Sequence, residues 1–214
     1  MRQPFQALSI VNEVMHRRVG PELRELVSRQ DAALWSMRTL LECFLDLDRI
    51  ACGAIAPVLC DFVVQEVLSG LGESMRDQCA RRSVRLSIGP SSLIAHSDPL
   101  IVRRIAQALV AIAIEYAGAK RIVVGLRRGR ACLRLEVWDT GAAIAAQQRV
   151  EVLCDTHAEQ GSAPGYGLGL LLVRRLADLL GAGLEVRAKP GGAIMTGIVL
   201  ARAKAGCGRD VWFG

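Results

Sequence analysis

Glu136-Val137-Trp138-Asp139-Thr140-Gly141 closes one apolar run, and Gly165-Tyr166-Gly167-Leu168-Gly169-Leu170 opens another. An acidic residue at the end of a strand, followed by an irregular stretch and a glycine-rich entry into a helix, is one way to hold a nucleotide. The carboxylate can accept a hydrogen bond from the base, while bare backbone amides at the helix start face phosphates. Either segment alone is weak, because glycines mark turns and a lone Asp after a strand is commonly a turn or cap residue. Their order and flanking pattern make the pair specific.

Outward from these segments the chain alternates strand and helix patterns. Strands are expected at Asp61 to Val64, Val84 to Ile88, Leu93 to Ala95, Leu184 to Arg187 and Ile194 to Leu200. A hairpin is expected from Ile122 to Arg127 and Ala131 to Trp138, turning at Arg128-Gly129-Arg130. Helices are expected at Gln65 to Arg81, Leu100 to Tyr116 and Leu168 to Leu180. This pattern predicts an α+β sandwich, one sheet covered by helices on one side. The N-terminal part differs. Phe5, Leu8, Val11, Met15 and Val19 form one helical stripe, Gly20-Pro21-Glu22 breaks it, and Leu23, Val27, Leu34, Met37, Leu41 and Phe44 form a second, with Gln30 and Asp48 in register. Two such helices predict an antiparallel hairpin, and the width of its apolar stripe predicts a dimeric four-helix bundle. The expected domains are residues 1–57, the hairpin, and residues 58–214, the sandwich.

Composition narrows the class. Hydrophobic residues are 51% of the 214 but aromatics only 4%, so the core is built of Leu, Val, Ile and Ala. Asp46, Asp48, Arg103, Arg104 and Glu115 interrupt the best candidate membrane spans, and the amphipathic Arg2 to Arg18 does not read as a signal peptide. The seven cysteines are odd in number and never spaced C-x-x-C, which argues against zinc and against a disulfide framework. Reduced thiols and a cytoplasmic location are expected. The net charge of +6 comes largely from arginine pairs spread over different elements, with no aromatic platforms between them. That disfavours nucleic acid and leaves solvated faces, or an acidic protein or phosphate partner.

With these motifs in order, the chain resembles the core of bacterial sensor histidine kinases, a dimerisation and phosphotransfer hairpin followed by an ATP-binding domain shared with gyrase and Hsp90-type ATPases. Gly20-Pro21-Glu22 is similar to the hairpin turn, and Phe44-Leu45-Asp46-Leu47-Asp48-Arg49-Ile50 with Gly53 and Pro57 to the end of its second helix. Ser97-Asp98-Pro99 leads into the helix that normally carries the magnesium-binding asparagine. Glu136 to Gly141 resembles the first glycine box, Gly165 to Leu170 the second, and Pro190-Gly191-Gly192 the turn near the domain's end. The resemblance implies that Asp139 accepts a hydrogen bond from the adenine amino group and that Gly141 permits close backbone approach. It implies that Gly165, Gly167, Leu168 and Gly169 form the phosphate-side turn and lid hinge, and that Asp155 to Pro164 is the lid.

Several positions depart from the family. Aligned without gaps from Ser97-Asp98-Pro99, the two expected asparagines fall on Ala108 and Ile112. Magnesium requires hard oxygen ligands, which isoleucine lacks, so Mg2+ is not expected and ATP or ADP binding is in question. Ala142-Ala143 replaces the usual Pro-Gly, and Val150 to His157 lacks the aromatic cluster expected before the lid. His16 has a His-x-x-x-x-Pro spacing to Pro21 but lies just before the turn and precedes Arg17 rather than an acidic residue, so it is a weak phosphoacceptor candidate. Arg2-Gln3-Pro4-Phe5-Gln6-Ala7-Leu8 fits the family segment better, and on that register the acceptor would precede Met1 by two residues. His96 and His157 read as structural or solvent-facing. The leading expectation is therefore a homodimeric two-component protein of kinase ancestry that engages a response-regulator receiver, with an impaired ATP site. The alternatives are a fragment of an active hybrid sensor kinase and a non-catalytic scaffold, with Arg17, Arg18 and Arg24 facing an acidic receiver.

Overall fold

A computed structural model describes residues 11, 14–15, 20–115, 118–129, 132–141, 166–189 and 193–203. It divides into two compact units, Met1–Cys52 and Gly53–Gly214. In the first, Val11, Val14 and Met15 are helical and Gly20 is extended, at φ −64° and ψ 168°. Helix α1 then spans Pro21–Ala51 with proline in its first turn, where a missing N–H costs nothing. Leu23, Gln30, Met37 and Phe44 recur every seven residues along it, and all four are exposed, as is Leu26. The remainder of the stripe expected from Phe5 to Val19 lies outside the described residues.

The second unit is a mixed α+β fold. Its elements are β1 (Cys60–Val63), α2 (Val64–Arg81), β2 (Arg85–Ile88), β3 (Ile94–Ser97), α3 (Pro99–Glu115), β4 (Arg121–Arg128), β5 (Cys132–Asp139), α4 (Tyr166–Leu179), β6 (Gly183–Ala188) and β7 (Ile194–Arg202). The seven strands form one sheet in the order β1-β3-β7-β5-β4-β2, with β6 also paired to β7. All pairings are antiparallel except β2 with β4. Buried Ile122, Val124, Leu133, Leu135, Val137, Ile198 and Leu200 alternate along their strands and form the core side of the sheet. Helix α3 packs against both α2 and α4 and against β5. From Leu109 to Ile114 every side chain of α3 is buried, which explains a helix apolar on all sides rather than along one stripe.

The other face of the sheet carries charge. Buried Glu136 accepts from Trp138 Nε1 at 3.0 Å and lies 3.9 Å from both Arg127 and Arg134. Arg134 reaches Glu185 at 3.3 Å, Arg187 reaches it at 2.8 Å, and Lys189 Nζ sits 4.1 Å from the Trp138 ring centroid. Each acid is shared by two arginines, which offsets the cost of desolvating it.

Element ends differ from the sequence-based expectations by one to two residues, for identifiable reasons. β2 starts at Arg85 rather than Val84 because Ser83 takes a left-handed φ of 52° and Val84 N–H turns back to Cys79 O at 2.8 Å. α3 starts at Pro99 because the buried Asp98 caps it, Oδ1 accepting the Leu100 and Ile101 amides at 2.9 and 3.1 Å. Asp98 Oδ2 also accepts the Val58 amide at 2.8 Å, tying the segment before β1 to the helix start. α4 starts at Tyr166 rather than Leu168, so Gly167 and Gly169 lie inside the first turn of the helix rather than in the turn before it.

Two outcomes follow. Asp98→Ala orphans three amides and is expected to lower unfolding free energy by about 2 kcal/mol in urea titrations, with Asp98→Asn losing less. Burial pushes the Cys43 thiol up to about 11, with the carboxylates of Asp46 and Glu42 adding to the shift, and burial also raises Cys79. Folding therefore holds the Cys43 proton more tightly. Its contribution is fully present below the unfolded thiol pKa and is lost as pH climbs towards the folded value. Alkylation at neutral pH followed by mass spectrometry should modify exposed Cys52 and Cys60 well before Cys43 and Cys79.

Candidate functional site

The two segments that open the sequence reading fall at the end of β5 and the start of α4. Asp139 is the last residue of β5, in register with Ile122 of β4 on one side and Ile194 of β7 on the other. It is 2% exposed, a carboxylate held where strand alternation alone would place an apolar side chain. Its Oδ1 accepts the Gly141 N–H at 3.0 Å, which turns the chain immediately after the strand. Thr140 N–H donates to Arg121 O at 3.2 Å, pinning the same turn to β4. On the same sheet face lies the buried hydroxyl of Thr196, opposite Val137 and two residues from Ile194. Nothing in the sequence marked Thr196, which reads there as an ordinary strand threonine.

The glycine-rich segment supplies the first turn of α4, and free amides with the positive end of the helix dipole lie at such a start. A β-carbon added at Gly167 would meet no atom within 4 Å, whereas one at Gly169 would lie 3.1 Å from Ile112 Cγ1 and 3.2 Å from Cδ1. Ile112 itself is 3% exposed. The α3–α4 contact at this level is thus an isoleucine side chain seated on a bare glycine, with no oxygen offered by either. Leu168 is half-buried, and Leu170 and Val173 continue the helix into the core. Ile112 offers no oxygen to a cation, and among the described residues no group of three His, Cys, Asp or Glu side chains could hold a metal.

Other residues singled out from the sequence are placed as follows. His96 Nδ1 lies 2.7 Å from Asp61 Oδ1 across the β1–β3 pair and is half-exposed, far in sequence and register from Asp139. Gly165, Ala142-Ala143, the stretch from Val150 through the Asp155 to Pro164 segment, Pro190-Gly191-Gly192, His16, Arg17, Arg18 and His157 lie outside the described residues. Asp98 was named only as a lead-in to the helix. The Asp-Pro pair is the signal for its cap, but its bond to Val58 has none in the sequence.

The second unit thus carries a buried acid at the end of β5 and a glycine-containing first turn in α4, on a mixed α+β sheet layered with helices. A family model described as histidine kinase-, DNA gyrase B- and HSP90-like ATPase matches residues 97–204, and the chain belongs to this family. The sensor protein KdpD of Escherichia coli is 25% identical over 194 residues, which is 89% of this chain and 21% of the relative. The virulence sensor protein BvgS of Bordetella bronchiseptica is 33% identical over 103 residues, 44% of this chain and 8% of that protein. The chain spans about a fifth or less of the length of these two curated relatives. Among solved structures, the histidine kinase AdeS of Acinetobacter baumannii superposes with a TM-score of 0.62 at 16% identity, covering 94% of this chain and 96% of that one. Full-length ShkA, crystallised with AMPPNP, gives 0.64 at 19% identity over 95% of this chain and 44% of its own. At those identities the likeness is one of fold.

The Ile112–Gly169 contact carries a sign test. Gly→Ala inside a helix ordinarily stabilises by about 0.5–1 kcal/mol, but Gly169→Ala is expected to destabilise by about 1–2 kcal/mol by overpacking. In an Ile112→Ala background the same substitution should become neutral or stabilising. Thermal melts of the four-member cycle read the coupling directly.

Proposed function

We propose that the chain is the core of a two-component signalling protein of histidine-kinase type whose nucleotide site no longer supports magnesium-dependent phosphoryl transfer. The observation that carries this reading is Ile112, buried against Gly169 at the position where the family resemblance places a magnesium ligand. Phosphoryl transfer depends on a metal that neutralises and orients the phosphates, and an alkyl side chain does neither. The base side is kept. Asp139 is buried and oriented by Gly141, and the helix start carrying Gly167, Leu168 and Gly169 retains room for an anion, so ATP or ADP can be held without the ion. Residues 1–57 and 58–214 are read as hairpin and ATP-binding domains.

The hairpin is read as a dimerisation element. Exposed Leu23, Met37 and Phe44 lie on a seven-residue repeat with exposed Leu26 one turn from Leu23, the pattern of a helical seam that buries itself against a second copy in a four-helix bundle. The partner downstream is a response-regulator receiver, engaged either in phosphotransfer or as a docking target. Retention of the base side is the feature that favours the second reading, a piece of a longer and active hybrid kinase whose acceptor histidine is supplied outside this sequence.

Calorimetry with ATP in the presence and absence of magnesium tests the proposal. Binding is expected to change less than about twofold on removing the metal, to vanish in Asp139→Ala, and to become magnesium-dependent in Ile112→Asn. An acid-labile, alkali-stable phosphoprotein formed from labelled ATP would overturn it in favour of the active-kinase reading, and His16→Ala would then locate the acceptor. For the dimer, Met37→Glu with Phe44→Glu is expected to shift the sedimenting species from dimer to monomer.

A further inference from the structure

Among the described residues β2 is an end strand of the sheet, paired with β4 alone. In that parallel pair, Arg85 N–H donates to Lys120 O at 3.0 Å and Gly89 N–H to Val124 O at 2.9 Å. Bonding residues alternate in a parallel ladder, so Leu86 and Ile88 turn their N–H and C=O groups off the sheet. An unpaired edge of this kind is a template for another strand.

The side chains on this edge specify what that strand must look like. Arg85 and Ser87 share the outer face of the sheet with Arg121 and Val123, and Arg85 is in register with Arg121. Two arginines placed side by side in a ladder repel each other. Arg81, which closes α2, and Lys120, which precedes β4, extend the same corner, and all four cations are exposed. Among the described residues no carboxylate pairs with Arg81, Arg85, Lys120 or Arg121. On the opposite face of β2, Leu86 and Ile88 remain half-buried, leaving apolar surface at the edge.

We propose that the β2 edge is a docking site for an acidic, extended segment of a partner protein, which adds to the sheet as a further strand. Its backbone pairs with Leu86 and Ile88. Residues of one parity present carboxylates to Arg85 and Arg121, and residues of the other parity cover Leu86 and Ile88, so the segment alternates acidic and apolar residues. The corner adjoins the nucleotide end of the fold, since the Arg121 backbone holds Thr140 through the 3.2 Å bond described above.

Fluorescence anisotropy of the whole chain with a labelled peptide of alternating glutamate and valine tests the proposal. Binding is expected, weakening as salt rises, and falling about tenfold in Arg85→Gln with Arg121→Gln, a loss of roughly 1.4 kcal/mol. Both arginines are exposed and repel each other, so the variant's melting temperature should not fall. Two further probes work on the unaltered chain. A lysine–valine peptide should not bind, and a glutamate–proline peptide, which keeps the charge but cannot donate to the ladder, should bind far more weakly. Equal binding of the proline peptide, unchanged affinity in the variant, or binding of inorganic polyphosphate or phosphatidylglycerol vesicles without binding of the glutamate–valine peptide would each overturn it.

Discussion

The larger unit depends on α3 having no solvent-facing side along its second half, because it lies between the sheet, α2 and α4. Six consecutive buried side chains, Leu109 to Ile114, tie the helix layer to the strands. Each large one contributes roughly 1.5–3 kcal/mol relative to exposure. A polar ligand side chain in such a run is an exception that a bound ion or a hydrogen-bond partner must compensate. In the reading proposed above, losing the ion removes the reason for the exception, and isoleucine is what the surrounding core then favours. On that proposal, loss of catalytic power and gain of packing would be the same change at position 112.

This account also explains why Gly169 remains informative. A glycine inside a helix weakens it, and the ordinary remedy is alanine. Here the absent β-carbon is space that Ile112 uses. Gly167, one position from Leu168 and still in the first turn, has open space instead, so the two glycines of one motif are constrained by different neighbours.

The strands and helices of the second unit were legible because their hydrophobic periods are clean, and the α+β class followed from their order. Strand order was not legible, since nothing in β7 announces that it pairs with β3, β5 and β6 together. Boundaries failed where a local closure overrode the pattern: Ser83 in a left-handed turn, Asp98 as a cap, and a helix that begins at Tyr166 and takes both glycines into its first turn. At the site, Asp139 was visible as an acid ending an apolar strand. The sequence registered Ile112 as a departure from an expected ligand, but its seat on Gly169 required two helices to be brought together. Thr196 and the Asp98–Val58 bond arise from contacts between distant residues that no spacing rule encodes.

Trp138 immediately precedes Asp139, with its indole N–H held by Glu136 and its ring facing the Lys189 ammonium. A nearby cation and a hydrogen-bonded N–H both govern how an indole emits. Any ligand that draws on the Asp139 carboxylate acts on a peptide unit whose neighbour is a fluorophore in a fixed electrostatic setting. The end of β5 therefore carries an optical reporter on the sheet face opposite the Asp139 carboxylate, one that responds to movement of the strand end without a label.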